Sequence, residues 1–385
     1  MREANRLNQI KEYYFSAKLK ELAKMQRNGK EIINLGVGSP DLPPPPQVIT
    51  ALCEALKNPK AHQYQPYKGT DKFRNSVGDF YKNHFNVNLN PDTEILPLIG
   101  SKEGISHISS AFLNKGDEVL IPNPGYPTYT SVTRLMEAEP VYYELDEAND
   151  WLPNLEKLEQ KELQKVKIMW INYPHMPTGA TGNKELFQKL IVFAKKHEIL
   201  LVNDNPYSFI LNGAPNSLLA IEGAKEVAME LNSLSKSFNM SGWRVGTLCG
   251  SEANINSVLK VKTNIDSGMF FPVMAGATEA LKLPGSWFKK QNEIYEGRKQ
   301  LMLKLIFNLN CKLTKNQAGM FIWAKIPTGI SSEDFVEELI HDYGIFAAPG
   351  FIFGSKGEGY IRFSLCAPEE IIKMAIKKTE AVKLA

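Results

Sequence analysis

Between residues 94 and 250, short apolar runs closed by Gly, Pro, Asn or Asp alternate with stretches long enough to be helices. The runs are Glu94–Ile99, Glu118–Ile121, Pro140–Leu145, Lys167–Ile171, Ile199–Val202, Glu226–Leu231 and Val245–Gly250. Apolar-periodic segments such as Gly104–Leu113 and Lys184–His197 lie between them. Strands and helices that alternate at this spacing need crossover connections, which build a mostly parallel sheet. The expectation is an α/β domain on a seven-stranded sheet. Ligands in such sheets sit beyond the carboxyl ends of the strands. Ser101, Tyr126, Asn172, Asp204 and Lys236 all fall at or just after those ends.

After about residue 285 the texture changes. A charged helical stretch, Trp287–Leu309, leads into a strand-like run, Gly319–Lys325. A helix over Ser332–Asp342 and a strand over Gly359–Leu365 follow. This predicts a smaller α+β domain, joined by the N-terminal forty or so residues. A chain of 385 residues accommodates two such units. The boundaries expected are 45–280 for the large domain and 1–44 plus 281–385 for the small one. Pro43–Pro46 reads as a rigid extended connector.

Several function classes lose support at this level. The net charge is +3 and no Lys/Arg block stands out, so nucleic-acid binding has no electrostatic basis. Cys53, Cys249, Cys311 and Cys366 form no C-x-x-C pair; a disulfide framework or a zinc site is not expected, and a reducing cytoplasm fits. Met1–Lys20 carries charges throughout, unlike a signal peptide. No run has the apolar length of a membrane span.

The densest chemistry is Ser233-Leu-Ser-Lys236 with Arg244 eight residues on. A lysine amine can form a Schiff base with a carbonyl. Ser233, Ser235 and the Arg244 fork suit a phosphate. Together they read as a seat for a phosphorylated aldehyde, against the plainer alternative of solvated loop charges. Gly100-Ser101-Lys102 opens a helix directly after a strand, and exposed N–H groups there favour an anion. Asp204 is either a turn cap or a functional anion. Tyr126 is either a packed turn aromatic or a stacking platform. Arg362, between Ile361 and Phe363, is either paired structurally or captures a carboxylate two-pronged.

These motifs, in this order, resemble fold-type I, pyridoxal-phosphate-dependent aminotransferases of class I/II, in the aspartate, alanine and LL-diaminopimelate group. The resemblance runs over nearly the whole chain. It is carried by Asn34-Leu-Gly-Val-Gly-Ser-Pro-Asp41, Tyr64-Gln-Pro-Tyr-Lys-Gly69, Gly100-Ser-Lys-Glu103, Pro122-Asn-Pro-Gly-Tyr126, Asn172-Tyr-Pro-His-Met-Pro-Thr-Gly179, Asp204 with Tyr207, Ser233-Leu-Ser-Lys236, Arg244 and Arg362. It implies that Lys236 is the Schiff-base lysine and that Asp204 pairs the pyridine nitrogen. Tyr207 would touch the phenolic oxygen, and Tyr126 would stack on the ring. Ser101, Lys102, Ser233, Ser235 and Arg244 would surround the phosphate. Arg362 would bind the α-carboxylate, and Gly38 would lie where the N-terminal segment closes over substrate. Tyr64 would reach the phosphate of a neighbouring subunit, which implies a homodimer.

The activity implied is ping-pong transfer of an amino group from an L-amino acid to a 2-oxo acid such as 2-oxoglutarate. Aspartate, alanine or a diaminopimelate-type amino acid is the donor expected. A lyase or decarboxylase on the same fold is the alternative. Lys262 is either a surface lysine or a reader of a distal carboxylate. One departure stands out: the family usually has Asn before Pro-Thr-Gly, and here Met176 occupies that position. Methionine cannot donate to the phenolic oxygen. The pKa of the lysine–cofactor linkage should therefore be raised, unless Asn172 or Asn205 supplies the bond.

Overall fold

The computed structural model describes residues 1–315 and 317–380. Its large sheet is built from β2 (Ile95–Leu98), β3 (Glu118–Asn123), β4 (Glu139–Glu144), β5 (Val166–Ile171), β6 (Leu200–Asp204), β7 (Ala228–Ser233) and β8 (Gly246–Gly250), with β1 (Ile33–Asn34) lying outside it. The strand order is β2-β8-β7-β6-β5-β3-β4. Only β8 runs against its neighbours β2 and β7; every other pair is parallel. All seven strands read from the sequence are present. Helices cover both faces, so central strands read as continuous apolar runs; β5 is buried at every position except Lys167.

The connecting helices carry their own start and stop signals. In Lys184–His197, the Asn183 side chain accepts the Leu186 N–H at 2.8 Å. Glu185 lies in the first turn and Lys195, Lys196 and His197 in the last, as the helix dipole favours. Leu186, Phe187, Leu190, Ile191 and Ala194 form the buried stripe. Strand ends are just as legible. β3 stops at Asn123-Pro124 and β6 at Asp204-Asn205-Pro206, because proline has no N–H to extend a ladder.

The remaining strands are β9 (Lys312–Leu313), β10 (Phe321–Lys325), β11 (Ile345–Phe346), β12 (Ala348–Pro349) and β13 (Tyr360–Ser364). The antiparallel sheet β12-β13-β10-β9 packs with the helices Gly285–Asn308, Ser332–Tyr343 and Glu369–Thr379. β1 pairs in parallel with β11, Ile33 opposite Ile345. Arg298 grips both carboxylate oxygens of Asp41, at 2.7 and 2.8 Å. These contacts tie the N-terminal segment to the C-terminal region.

Two local expectations need correction. Pro46 is not part of an extended connector but the first residue of helix Pro46–Leu56, a position that needs no N–H and matches its fixed φ. The N-terminal segment does more than pack on the small unit. It forms helix Tyr14–Arg27, and Tyr13 and Phe15 reach the cavity at the large sheet's carboxyl edge. Among the described residues no helix is long and apolar enough to cross a membrane, and all four cysteines are free.

Candidate active site

A cavity of about 300 Å³ opens at the carboxyl ends of the parallel strands, between the two sheets. It gathers Gly38, Ser101, Lys102, Tyr126, Asn172, Asp204, Tyr207, Ser233, Ser235, Lys236, Arg244 and Arg362, every predicted site residue except Tyr64. Tyr64 is 90% exposed and lies outside the cavity.

Lys236 sits in the one-turn helix that follows β7. Its Nζ donates to the Gly38 carbonyl at 2.6 Å. Burial disfavours the charged form and lowers its pKa from the usual lysine value. Gly38 is required for space, since a Cβ there would overlap the Phe321 ring.

One end of the cavity is a cup for an anion. Gly100, at φ +82°, turns β2 into the helix Ser101–Phe112. The Arg244 guanidinium packs so closely on Gly100 that a side chain there would overlap it. Arg244 Nη1 donates to the Ser241 carbonyl at 2.9 Å and lies 3.5 Å from Ser235 Oγ. Ser233 Oγ accepts the Ser235 N–H at 3.2 Å. Burial, and then Arg244, lower the Lys102 pKa. Among the described residues neither Lys102 nor Arg244 has a carboxylate partner within 4.0 Å. Two cations at a helix N-terminus without a counter-ion make an anion site.

Asp204 ends β6 in a dry setting. Its Oδ2 accepts the Tyr129 O–H at 3.0 Å, while the equally buried Oδ1 has no partner. Burial pushes its pKa up to about 6. Sequence reasoning missed Tyr129, although it lies three residues after Tyr126 on the same turn. Tyr129 stacks on Trp170 at 4.9 Å and meets Tyr126 edge-on at 5.5 Å. Tyr207 is buried, with its ring 5.8 Å from Phe321.

Arg362, on β13, enters from the small sheet. Its Nη2 donates to the Gly36 carbonyl at 2.8 Å, and its Nη1 lies 3.1 Å from Met176 Sδ. Phe321 and Phe353 stack on it at 3.9 and 4.9 Å, a favourable cation–π setting. Its buried Nε has no partner, and no acidic side chain among the described residues pairs with it. Burial lowers its pKa to about 10, so it stays charged at neutral pH. A buried cation of this kind needs an anion supplied from outside the chain.

Comparison with known proteins bears on this geometry. The family model "Aminotransferase class I and II" matches residues 30–378. The chain belongs to that family. It is 40% identical to an LL-diaminopimelate aminotransferase of Halothermothrix orenii, over 98% of each chain. The structure of BacF from Bacillus subtilis superposes with a TM-score of 0.95 at 34% identity, covering 100% of this chain and 98% of that one. An aromatic aminotransferase from Pyrococcus horikoshii superposes with a TM-score of 0.86 at 28% identity, covering 94% of this chain and 98% of that one.

Aminotransferases of this family depend on pyridoxal phosphate, and this one has the residues to hold it. The unpartnered Oδ1 of Asp204 suits a ring N–H, the counter-ion-free cup suits the phosphate, and Lys236 lines the same cavity. Other expectations change. Lys262 is neither a surface lysine nor a reader of substrate: it is fully buried and pairs with Asp266. Each of the two asparagines already has its oxygen and one amide N–H engaged within the chain. Asn172 donates to the Asp204 carbonyl and accepts the Met176 N–H at 2.8 Å. Asn205 donates to the Asn216 carbonyl at 3.1 Å and accepts from Ser208, so its place is structural.

Met176→Asn is therefore expected to move the pH titration of the bound cofactor's absorbance to lower pH by about one unit, the worth of one charge-assisted hydrogen bond. Superimposable titration curves for the two proteins would refute this.

Proposed function

We propose that the protein moves the amino group of an L-α-amino acid to a 2-oxo acid in two successive half-reactions, with Lys236 as nucleophile and base. The observation that carries this is one cavity holding a buried amine, an unpartnered carboxylate oxygen on Asp204 and a counter-ion-free guanidinium on Arg362. When bound, pyridoxal phosphate supplies the carbonyl that takes up the amino group and a ring that accepts the electron pair released at Cα.

The chain's own residues do the rest. Arg362 takes the α-carboxylate and so fixes which Cα bond faces Lys236. Lys236 Nζ would remove the Cα proton and deliver it, across the intervening nitrogen, to the carbon that was the cofactor's carbonyl. Its lowered pKa favours the neutral form that this task needs. Asp204 keeps a positive charge on the ring nitrogen, with Tyr129 holding its other oxygen. Ser101, Lys102, Ser233, Ser235 and Arg244 grip the phosphate. Tyr126 would stack on the ring and Tyr207 would touch its phenolic oxygen, and Asn172 holds the loop before Met176. The enzyme acts as a homodimer in which Tyr64 serves the neighbouring site.

The likeness to the Halothermothrix LL-diaminopimelate aminotransferase makes LL-diaminopimelate the first donor to try, with 2-oxoglutarate as acceptor. The test is to add single amino acids to the pyridoxal-phosphate form with no oxo acid present. A stoichiometric change of the visible spectrum, with release of the matching 2-oxo acid, is expected for the true donor. Ammonia or carbon dioxide accumulating while the spectrum stays unchanged would show a lyase or decarboxylase instead.

A further inference from the structure

Under the anion cup lies a cluster that the catalytic roles above do not use: Glu103, His107, Lys262 and Asp266. Lys262 comes from helix Glu252–Lys262 and is fully buried. Its Nζ pairs with Asp266 Oδ2 and lies 3.7 Å from Glu103 Oε1. His107 Nε2 lies 3.1 Å from the same Glu103 oxygen. The other Glu103 oxygen accepts the Ile99 N–H at 2.6 Å, fixing the turn that aims Gly100, Ser101 and Lys102 at the cavity. On the far side, Asp266 Oδ1 accepts the Gly268 N–H at 2.8 Å. Gly268 packs against the carbonyls of Gln65 and Pro66, beside Tyr64.

The position of Glu103 poses an electrostatic problem. It holds the cup's turn, yet it puts a negative charge in the first turn of the helix whose N-terminus would face a phosphate. Like charges a few ångströms apart in a partly dry site oppose one another strongly. The cluster has metal-like geometry, with Glu103, His107 and Asp266 converging, but the Lys262 ammonium stands among them.

We infer that Lys262 is a positioning residue for the phosphate: its ammonium, set between Asp266 and Glu103, offsets the carboxylate charge under the cup, so the cup binds a phosphate dianion rather than repelling it. The inference rests on the reading of Ser101, Lys102 and Arg244 as the phosphate site. It predicts an effect selective for the phosphate. Losing Lys262 costs affinity for pyridoxal phosphate and inorganic phosphate, and much less for unphosphorylated pyridoxal.

The experiment uses cofactor-stripped full-length protein and measures the affinity of each of these three compounds by calorimetry or fluorescence quenching. In Lys262→Met the dissociation constants for pyridoxal phosphate and inorganic phosphate should rise at least about tenfold, with that for pyridoxal changing less than about threefold. Lys262→Arg should restore most of the loss. Lys262→Met combined with Glu103→Gln and Asp266→Asn removes both carboxylates that the lysine contacts together with the lysine, so it remains measurable if the single variant does not fold. Its phosphate affinity should lie within about threefold of the native protein. An equal loss for all three compounds in the single variant, or a triple variant that still rejects phosphate, would overturn the inference. Native protein that binds pyridoxal as tightly as pyridoxal phosphate would overturn the phosphate cup itself, and the inference with it.

Discussion

Lys236→Ala is expected to lower kcat/KM for transamination by about 10⁴-fold or more, since in the proposed mechanism it removes both the amine that attacks the carbonyl and the base that moves the Cα proton. No other group in the cavity can take its place. Lys102 stands at the anion cup beside Arg244, Arg362 stays charged, and the one acid, Asp204, faces the ring-nitrogen position. Little stability should be lost. The buried Lys236 makes a hydrogen bond to Gly38, and burial already disfavours its charge. Unfolding in urea should therefore place the variant within about 1 kcal/mol of the native protein, the net worth of a single hydrogen bond. Small amines such as methylamine fit the space left by the side chain and should restore part of the rate in proportion to their concentration. A variant that kept more than a hundredth of native activity would remove Lys236 from the base's role.

The large sheet was legible because both of its faces are covered. Such strands must be apolar throughout, and their ends are marked by proline and by polar residues that carry the chemistry. That is why Ser101, Asp204 and Lys236 could be placed at one edge before any coordinates. What the sequence hid is pairwise and three-dimensional. Tyr129 looks like a core aromatic until its hydroxyl is seen on Asp204 Oδ2. Lys262 reads as a solvated charge because lysines are rarely buried without a partner; its partner Asp266 lies one helical turn on, and Glu103 is far off in sequence. Tyr13, Phe15, Phe321 and Phe353 come from three separate segments, and only folding shows them around Arg362 and the cavity. The antiparallel course of β8 was equally invisible, since a short apolar run does not disclose its direction.

Asp204→Asn should move activity and cofactor-free stability in opposite directions. In the proposed mechanism the carboxylate would keep a positive charge on the ring nitrogen, and an amide could not. Loss of a preorganised charge of this kind is expected to reduce kcat by about 10²- to 10³-fold. Without the cofactor the same carboxylate is a burden. Burial holds its pKa at about 6, against 3.8 for the free group. Between those values the folded chain binds more protons than the unfolded one, so folding stability falls as pH rises through that window. Below it the cost is absent, and above it the cost is fully present, about 3 kcal/mol from a shift of this size. Asparagine carries no such charge. Its N–H groups would face the empty position of Oδ1, which costs about 1–2 kcal/mol at every pH. At pH 7 the cofactor-free variant should therefore be the more stable protein by about 1–2 kcal/mol in urea unfolding. Toward pH 4 the advantage should vanish and then reverse. Pyridoxal phosphate should reverse the order at neutral pH, because only the carboxylate gains a charged partner from it. Parallel stability–pH curves for the two cofactor-free proteins would mean that Asp204 is not held at a cost, and that its second oxygen is not reserved for a cation.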